Sequence, residues 1–138
     1  MNNFSENNNP YKKAATAYRD TYVSNISGME IVVELYKGMI SNIENAKNAY
    51  TAGHLEKMCH LNDKTFKILI ALQSNLDYEK GGDAAVFLNQ FYNSIFASLT
   101  KVLREKNPEQ AFNQILASMR PVYQRWQEFS AQQHKLSK

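Results

Sequence analysis

The residues that could carry chemistry are few and poorly placed for it. Three histidines, His54, His60 and His134, do not combine into a metal-ligand set, and the Glu-x-x-His pairs of a di-iron bundle do not occur. Glu56 and His60 stand four residues apart on one predicted helix, a spacing that is common on solvated helix faces. The sequence therefore predicts neither a metal site nor a cofactor.

The other reactive groups also have structural explanations. Cys59 lies beside the apolar residues of its helix and has no positioned base, so we expect a buried, inert thiol. Asp77 and Glu79 could pair as catalytic carboxylates, but a turn with its helix caps explains them better. The Gly81-Gly82 pair is not a phosphate loop, because no Gly-Lys-Ser/Thr follows it. We therefore expect no enzymatic activity.

Length and composition describe a single globular domain. The chain has 138 residues, of which 43% are hydrophobic, and only five are glycine and three proline, which predicts few and long elements. The formal net charge of +3 is spread along the chain, so it is weak support for nucleic-acid binding. One cysteine excludes an intramolecular disulfide, and no segment has the pattern of a secretory signal or a membrane span. We expect a cytoplasmic protein without membrane insertion.

Apolar residues recur at helical spacing along four segments. The first segment begins with a capping box, in which Ser27 is the N-cap and Glu30 follows three residues later, and it ends at Gly53. Pro121 is expected to bend the last segment, because it removes a backbone donor. The expected helix bounds are about 27–52, 54–76, 83–106 and 108–131. Long helices with short connections predict an all-α, antiparallel up-down four-helix bundle.

Terminal regions flank the predicted bundle of residues 27–131. Residues 1–10 are rich in asparagine and are expected to form a disordered tail, and residues 132–138 are expected to fray. Residues 11–26 carry a patchy apolar face that includes Tyr18, Tyr22 and Val23. Such an apolar face would promote non-specific association if it were exposed, so we expect this segment, which we name the N-terminal arm, to pack on the bundle.

The third predicted helix carries more apolar residues than one buried face needs. A structural turn that includes Asp77 is expected to reverse the chain at Gly81 and Gly82, which can adopt left-handed backbone angles, and Asp83 is the expected N-cap that follows. Beyond Asp83, apolar residues satisfy helical spacing on more than one stripe, so the arc is wider than the ~100° of a helix with one buried side. The surplus predicts an apolar groove for an amphipathic partner helix.

A partner is expected to contact the N-terminal arm, the first helix and the beginning of the third helix. The candidate partner-binding residues are Tyr18, Tyr22, Val23, Leu35, Tyr36, Met39, Ile40, Ile43, Phe87 and Phe91. Taken singly, each large apolar residue of the bundle is better explained as core than as interface, and only the set as a whole exceeds what one buried stripe per helix needs. The sequence alone does not separate groove residues from core residues among them.

The stretch LDYEKGGDAAVFLNQFYNSIF resembles the signature of the flagellar secretion chaperones, the FliS family. The matching residues are Leu76, Asp77, Gly81, Gly82, Ala85, Leu88, Phe91 and Tyr92. In addition, Leu35-Tyr36-Lys37-Gly38 stands where the family has Leu-Tyr-Asp-Gly, and Trp126 fits a tryptophan late in the family's last helix. The resemblance extends from about residue 18 to residue 126.

The resemblance implies a chaperone that binds the disordered C-terminal segment of flagellin one-to-one in the cytoplasm. It also implies that the chaperone prevents premature polymerisation and assists export, with the flagellar export gate as a further partner. No cofactor is implied. Family members have an N-terminal segment that caps apolar surface, so we expect the arm to cover part of the groove and flagellin to displace it.

Two other functions fit the same sequence. A helical adaptor or regulator could bind another protein through the same groove, because a fold does not fix a function. A nucleic-acid binder could use the surplus positive charge, although we expect no nucleic-acid partner. A salt titration separates the last case, because phosphate-driven binding falls steeply with salt concentration.

Overall fold

The residues that the structure describes form a bundle of four α-helices. The computed structural model describes residues 26–136, with side-chain environments for residues 30–132. The helices are α1 (Ile26–Thr51), α2 (Leu55–Ser74), α3 (Tyr78–Thr100) and α4 (Pro108–Leu136), and a short 3₁₀ helix, Val102–Arg104, follows α3. The predicted all-α four-helix bundle is confirmed. The predicted N-terminal tail, residues 1–10, and almost all of the N-terminal arm, residues 11–26, lie outside the described residues.

Polar contacts show that α1 and α4 are antiparallel neighbours. Lys47 Nζ donates to Asn113 Oδ1 at 3.0 Å, and Thr51 Oγ1 donates to Glu109 Oε2 at 2.9 Å. Later residues of α1 therefore meet earlier residues of α4. A further ion pair between Glu44 and Arg120 extends the same seam.

The core forms around α1, which packs closely along both α2 and α4. Its inward stripe is wholly buried and advances by four and three residues in turn, as a helix with one face toward a bundle interior requires. This stripe consists of Val32, Tyr36, Met39, Ile43 and Ala46. The facing helices contribute the fully buried residues Met58, Leu69, Leu72, Leu88, Tyr92, Phe112, Leu116, Met119 and Trp126.

An aromatic cluster joins three helices at the centre of this core. Tyr36 of α1 contacts Tyr92 of α3 and Trp126 of α4, with ring centroids 6.1 Å apart in both pairs. The hydroxyls of Tyr36 and Tyr92 share a buried hydrogen bond of 2.7 Å. Because a buried hydroxyl is costly without a partner, this bond fixes how α1 and α3 lie against each other across the bundle.

We expect the single substitutions Tyr36→Phe and Tyr92→Phe each to lower the free energy of unfolding by about 1–2 kcal/mol, because each removes the shared bond and deprives the other hydroxyl of that partner. The double substitution should cost less than the sum of the two single ones. Chemical denaturation of the four proteins measures this coupling. Strict additivity would contradict the mutual dependence of the two hydroxyls.

Near the connection between α1 and α2, the predicted helix stop is found at Gly53, but the predicted burial of Cys59 is not found. Gly53 has a φ of 81° and stands between the two helices, where a C-terminal stop was expected. Cys59, by contrast, is exposed, so the prediction of a buried thiol is wrong. Met58 faces the core, and the next residue is rotated by about 100° around the helix axis toward solvent.

The connection between α2 and α3 differs from the predicted turn. The chain turns at residues 75–77, where Leu76 is buried and Asp77 has extended backbone angles. Asp77 Oδ1 accepts hydrogen bonds from the backbone N–H groups of Glu79 at 3.0 Å and Lys80 at 3.1 Å. The N-cap role assigned to Asp83 therefore belongs to Asp77.

Gly82 interrupts α3 after its first turn. Its φ of 51° and ψ of −127° are non-helical, whereas Gly81 donates its N–H to the carbonyl of Asp77 at 2.8 Å and continues the helix. The predicted reversal at Gly81 and Gly82 is thus a break within α3, and the reversal itself lies upstream. Only Gly82 of the pair has the positive φ that we expected.

The last helix is longer than predicted. It runs through Pro121, which is exposed, and continues beyond the expected end at residue 131 as far as Leu136. Within the described range, no helix has the length and apolar content to cross a membrane. The same residues contain no cluster of three or more histidine, cysteine or acidic side chains that could hold a metal ion.

Candidate partner-binding groove

Exposed apolar side chains concentrate at the beginning of α3. Among the large hydrophobic residues that the described chain leaves exposed, Tyr78, Val86 and Phe87 lie within ten residues of each other on this helix. Phe87 has the largest exposed fraction, 55%. The others, Ile31, Leu55, Ile70 and Leu103, are distributed over other elements. The apolar surface that lacks an intramolecular partner is therefore best developed on α3.

Phe87 continues into the core through Phe91. Their rings are stacked, with centroids 6.4 Å apart and an angle of 10° between the ring planes. Phe91 is half-buried and packs against the core, and it also contacts the buried Tyr92 at 5.8 Å. The stacked pair therefore forms a continuous apolar surface from solvent to the core, and the exposed ring of Phe87 is accessible to another chain.

An open pocket of about 410 Å³ lies between α3 and α4. It is lined by Ser94, Ile95, Ser98, Lys101, Glu105, Ala111, Gln114, Ile115 and Ser118. Four of these nine residues, Ser94, Ser98, Ala111 and Ser118, have small side chains, and α3 approaches α4 at fewer points than α1 does. The space between the two helices is open because small side chains do not fill it.

The pocket and the aromatic pair belong to one surface. Phe87, Phe91, Ser94 and Ser98 follow one another by four, three and four residues, so they lie on the same face of α3. We name the surface formed by these four residues and the pocket lining the α3–α4 groove. Along α3 it extends for about 17 Å from Phe87 to Ser98, at 1.5 Å per residue.

The serine hydroxyls make the groove polar, but they are not placed to act as reactive groups. Ser94 Oγ donates to the carbonyl of Phe91 at 3.0 Å, and Ser118 Oγ donates to the carbonyl of Ile115 at 2.8 Å. Both hydroxyls are thus bonded to their own helices. Buried Ile95 and Ile115 form the floor. An apolar floor with a polar rim suits an amphipathic helix more than a small substrate.

The opposite side of α3 is closed against α2. Phe66 and Phe96 pack with ring centroids 4.5 Å apart. Gln73 Nε2 donates to Asn89 Oδ1 at 3.2 Å and to Asn93 Oδ1 at 2.6 Å. Because large rings and paired amides fill this seam, the accessible space next to α3 is on the α4 side.

The structure divides the predicted partner-binding residues into three groups. Tyr18, Tyr22 and Val23 lie outside the described residues. The first-helix candidates Tyr36, Met39, Ile40 and Ile43 are buried in the core, and Leu35 is half-buried beside it. Phe87 is exposed, and Phe91 is half-buried and stacked against it.

The stripe of α1 that we expected to contact a partner is buried in the bundle. Tyr36, Met39 and Ile43 have no exposed area, and Ile40 has an exposed fraction of only 9%. The reason is the position of α1, which packs along two neighbours and turns this stripe to the interior. A partner reaches these side chains only if the bundle rearranges.

Several groove residues were missed in the sequence because they are polar. Ser94, Ser98, Gln114 and Ser118 do not contribute to an apolar stripe, although they line the pocket. A usable signal was present: the two α3 serines continue the spacing of Phe87 and Phe91. In this bundle the small side chains of these serines leave part of the space that the pocket occupies.

Comparisons with known proteins show similarity over most of the chain. The model of the family described as "Flagellar protein FliS" matches residues 10–133. The chain is 28% identical to the flagellar secretion chaperone FliS of Vibrio cholerae over 127 residues, which cover 92% of this chain and 90% of that protein. It is 28% identical to the flagellar secretion chaperone FliS of Campylobacter jejuni over 115 residues, 83% of this chain and 89% of that protein. The family match includes the whole α3–α4 groove.

Proposed function

The chain belongs to the FliS family of flagellar secretion chaperones, and from this premise we propose that it binds the C-terminal segment of flagellin, one-to-one, in the α3–α4 groove. The bound segment is then unavailable for premature polymerisation. The complex forms in the cytoplasm and is delivered to the flagellar export gate. The chaperone acts by binding alone and needs no cofactor.

The observation that carries this proposal is exposed Phe87, stacked on half-buried Phe91 at the edge of an unfilled groove. A disordered segment that folds as an amphipathic helix would cover Phe87 and fill the space above Ile95 and Ile115. Each Å² of apolar surface removed from water contributes roughly 25 cal/mol. The ordering entropy of the segment opposes this gain and keeps the complex reversible, as a carrier requires.

Phe87→Ser should lower the affinity for a peptide of the last ~50 flagellin residues by at least about tenfold, because an aromatic anchor at an interface contributes 1.4 kcal/mol or more. Isothermal titration calorimetry measures the affinity and the one-to-one stoichiometry. For the wild type it should also show a markedly negative heat-capacity change, because apolar surface is buried.

Leu55→Ser is the matched control for this measurement. Leu55 has an exposed fraction of 49%, close to that of Phe87, and it begins α2 away from the groove lining. The control should bind like the wild type. Wild-type protein that forms no complex would refute the chaperone function itself. A complex that tolerates Phe87→Ser would leave that function standing and refute the placement in the groove.

A further inference from the structure

Positive charge collects at one end of the α3–α4 groove. The connection that follows α3 carries Lys101, Arg104 and Lys106 against a single acid, Glu105. Lys101 and Glu105 line the pocket itself, and all four side chains are exposed. Among the residues that the structure describes, none of the three cations takes part in an ion pair. We name Lys101, Arg104 and Lys106 the basic connection.

Negative charge collects at the other end of the same helix. Asp77, Glu79 and Asp83 stand in or just before the first turns of α3, and Lys80 is the only base among them. Asp77 is occupied in capping the helix, but Glu79 and Asp83 are exposed. Asp83 stands one helical turn before Phe87, on the same face. The aromatic end of the groove is therefore also its acidic end.

The two charged ends are separated by the length of a typical helix. From Asp83 to Lys101 the chain advances 18 positions, which correspond to about 27 Å along α3. A bound helix of similar length has a partial positive charge at its N-terminus and a partial negative charge at its C-terminus. A segment from the end of a protein adds the full charge of the terminal carboxylate.

We propose that the bound segment runs parallel to α3, with its terminal carboxylate at the basic connection and its N-terminal part beside Phe87 and Asp83. This inference rests on the proposed function, because it assumes a C-terminal segment in the α3–α4 groove. The reverse direction would place the terminal carboxylate against Glu79 and Asp83. Three negative charges close together would oppose binding in that direction, whereas the parallel direction places opposite charges next to each other at both ends of the groove. Glu105 and Lys80 reduce this contrast but do not reverse it.

The first test uses one peptide in two forms, the last ~50 residues of the cell's own flagellin with a free carboxylate or with a C-terminal amide. Amidation should weaken binding to the wild-type protein about two- to fivefold at low salt, the range for an exposed charge pair. In the triple variant Lys101→Gln, Arg104→Gln, Lys106→Gln, the free-carboxylate peptide should bind as weakly as the amide, and amidation should have no further effect.

A matched control removes the same number of charges elsewhere. Lys37→Gln, Lys57→Gln, Lys64→Gln changes three exposed lysines outside the groove lining, and this variant should retain the full effect of amidation. If amidation has no effect on the wild type, or the same effect on both triple variants, the carboxylate does not lie at the basic connection and the inference is overturned.

The second test locates the end of the peptide directly. A photo-crosslinking group on the last peptide residue should attach to residues 101–106 of the wild-type protein, as identified by mass spectrometry. Attachment to residues 79–87, or equal attachment at both ends, would overturn the proposed direction. If neither the free-carboxylate peptide nor the amidated peptide binds, the proposed function itself fails. This outcome differs from a peptide that binds in the wrong direction, so the two results are distinguishable.

Discussion

Replacing Trp126 with alanine is expected to lower the free energy of unfolding by about 3–5 kcal/mol. Trp126 has no exposed area, and its ring lies 6.1 Å from that of Tyr36 at the junction of α1, α3 and α4. Removing it leaves a large cavity in a close-packed core. Since small domains are stable by only about 5–15 kcal/mol, the variant should be near the limit of folding. Denaturant unfolding followed by circular dichroism measures the loss.

The control for this prediction is Phe87→Ala, which removes a large aromatic ring from the surface. With more than half of its side chain already in water, it should cost less than about 1 kcal/mol. An unchanged stability of the Trp126 variant together with lost flagellin binding would mean that Trp126 is a partner anchor and not part of the core.

Replacing Gly82 with alanine should cost about 1–3 kcal/mol, and replacement with valine should cost more. At a φ of 51° and a ψ of −127°, Gly82 is in a backbone region that residues with a Cβ atom strongly disfavour. Apart from the backbone of its own segment, no heavy atom of the described residues lies within 4 Å of the position that a Cβ would take, so the cost comes from backbone strain and not from a collision. Thermal unfolding of both variants measures it.

Gly38→Ala is the matched control, because this glycine lies within α1 and the new Cβ would be 3.8 Å from Ile68 Cδ1, an ordinary contact. Alanine there should raise the stability by up to about 1 kcal/mol, since it favours the helix over the unfolded chain. If both variants changed stability in the same direction and by the same amount, the break at Gly82 would not impose a special backbone requirement.

The number and order of the helices could be predicted from the sequence because their signals are local. Gly53 and Pro108 mark helix ends through their own backbone properties, and apolar spacing marks the segments between them. The turn before α3 could not be predicted in detail. Asp77 and Asp83 are equally good caps by residue type, and what decides between them is the burial of Leu76, a tertiary contact.

The candidate site could be predicted only in part for a similar reason. Phe87 and Tyr36 are both large aromatic residues at helical spacing, yet one is exposed and the other has no exposed area. Their difference depends on the neighbours of α3 and α1, which periodicity does not specify. The serines of the groove were not predicted for a similar reason. Their small side chains leave a space beside the neighbouring helix, and such a space has no sequence pattern of its own.

The polar seam between α1 and α4 has a consequence for how the bundle opens. Lys47 and Thr51 are each bonded across that seam, so α1 and α4 are held together by polar contacts at the surface as well as by the core. On its α4 side, α3 borders an open groove, and the Gly82 break separates its first turn from the rest. Protein regions open in cooperative units, and the unit with the fewest contacts opens at the lowest free energy. In this bundle that unit is α3, so we expect its amide protons to exchange with solvent while α1 and α4 remain folded.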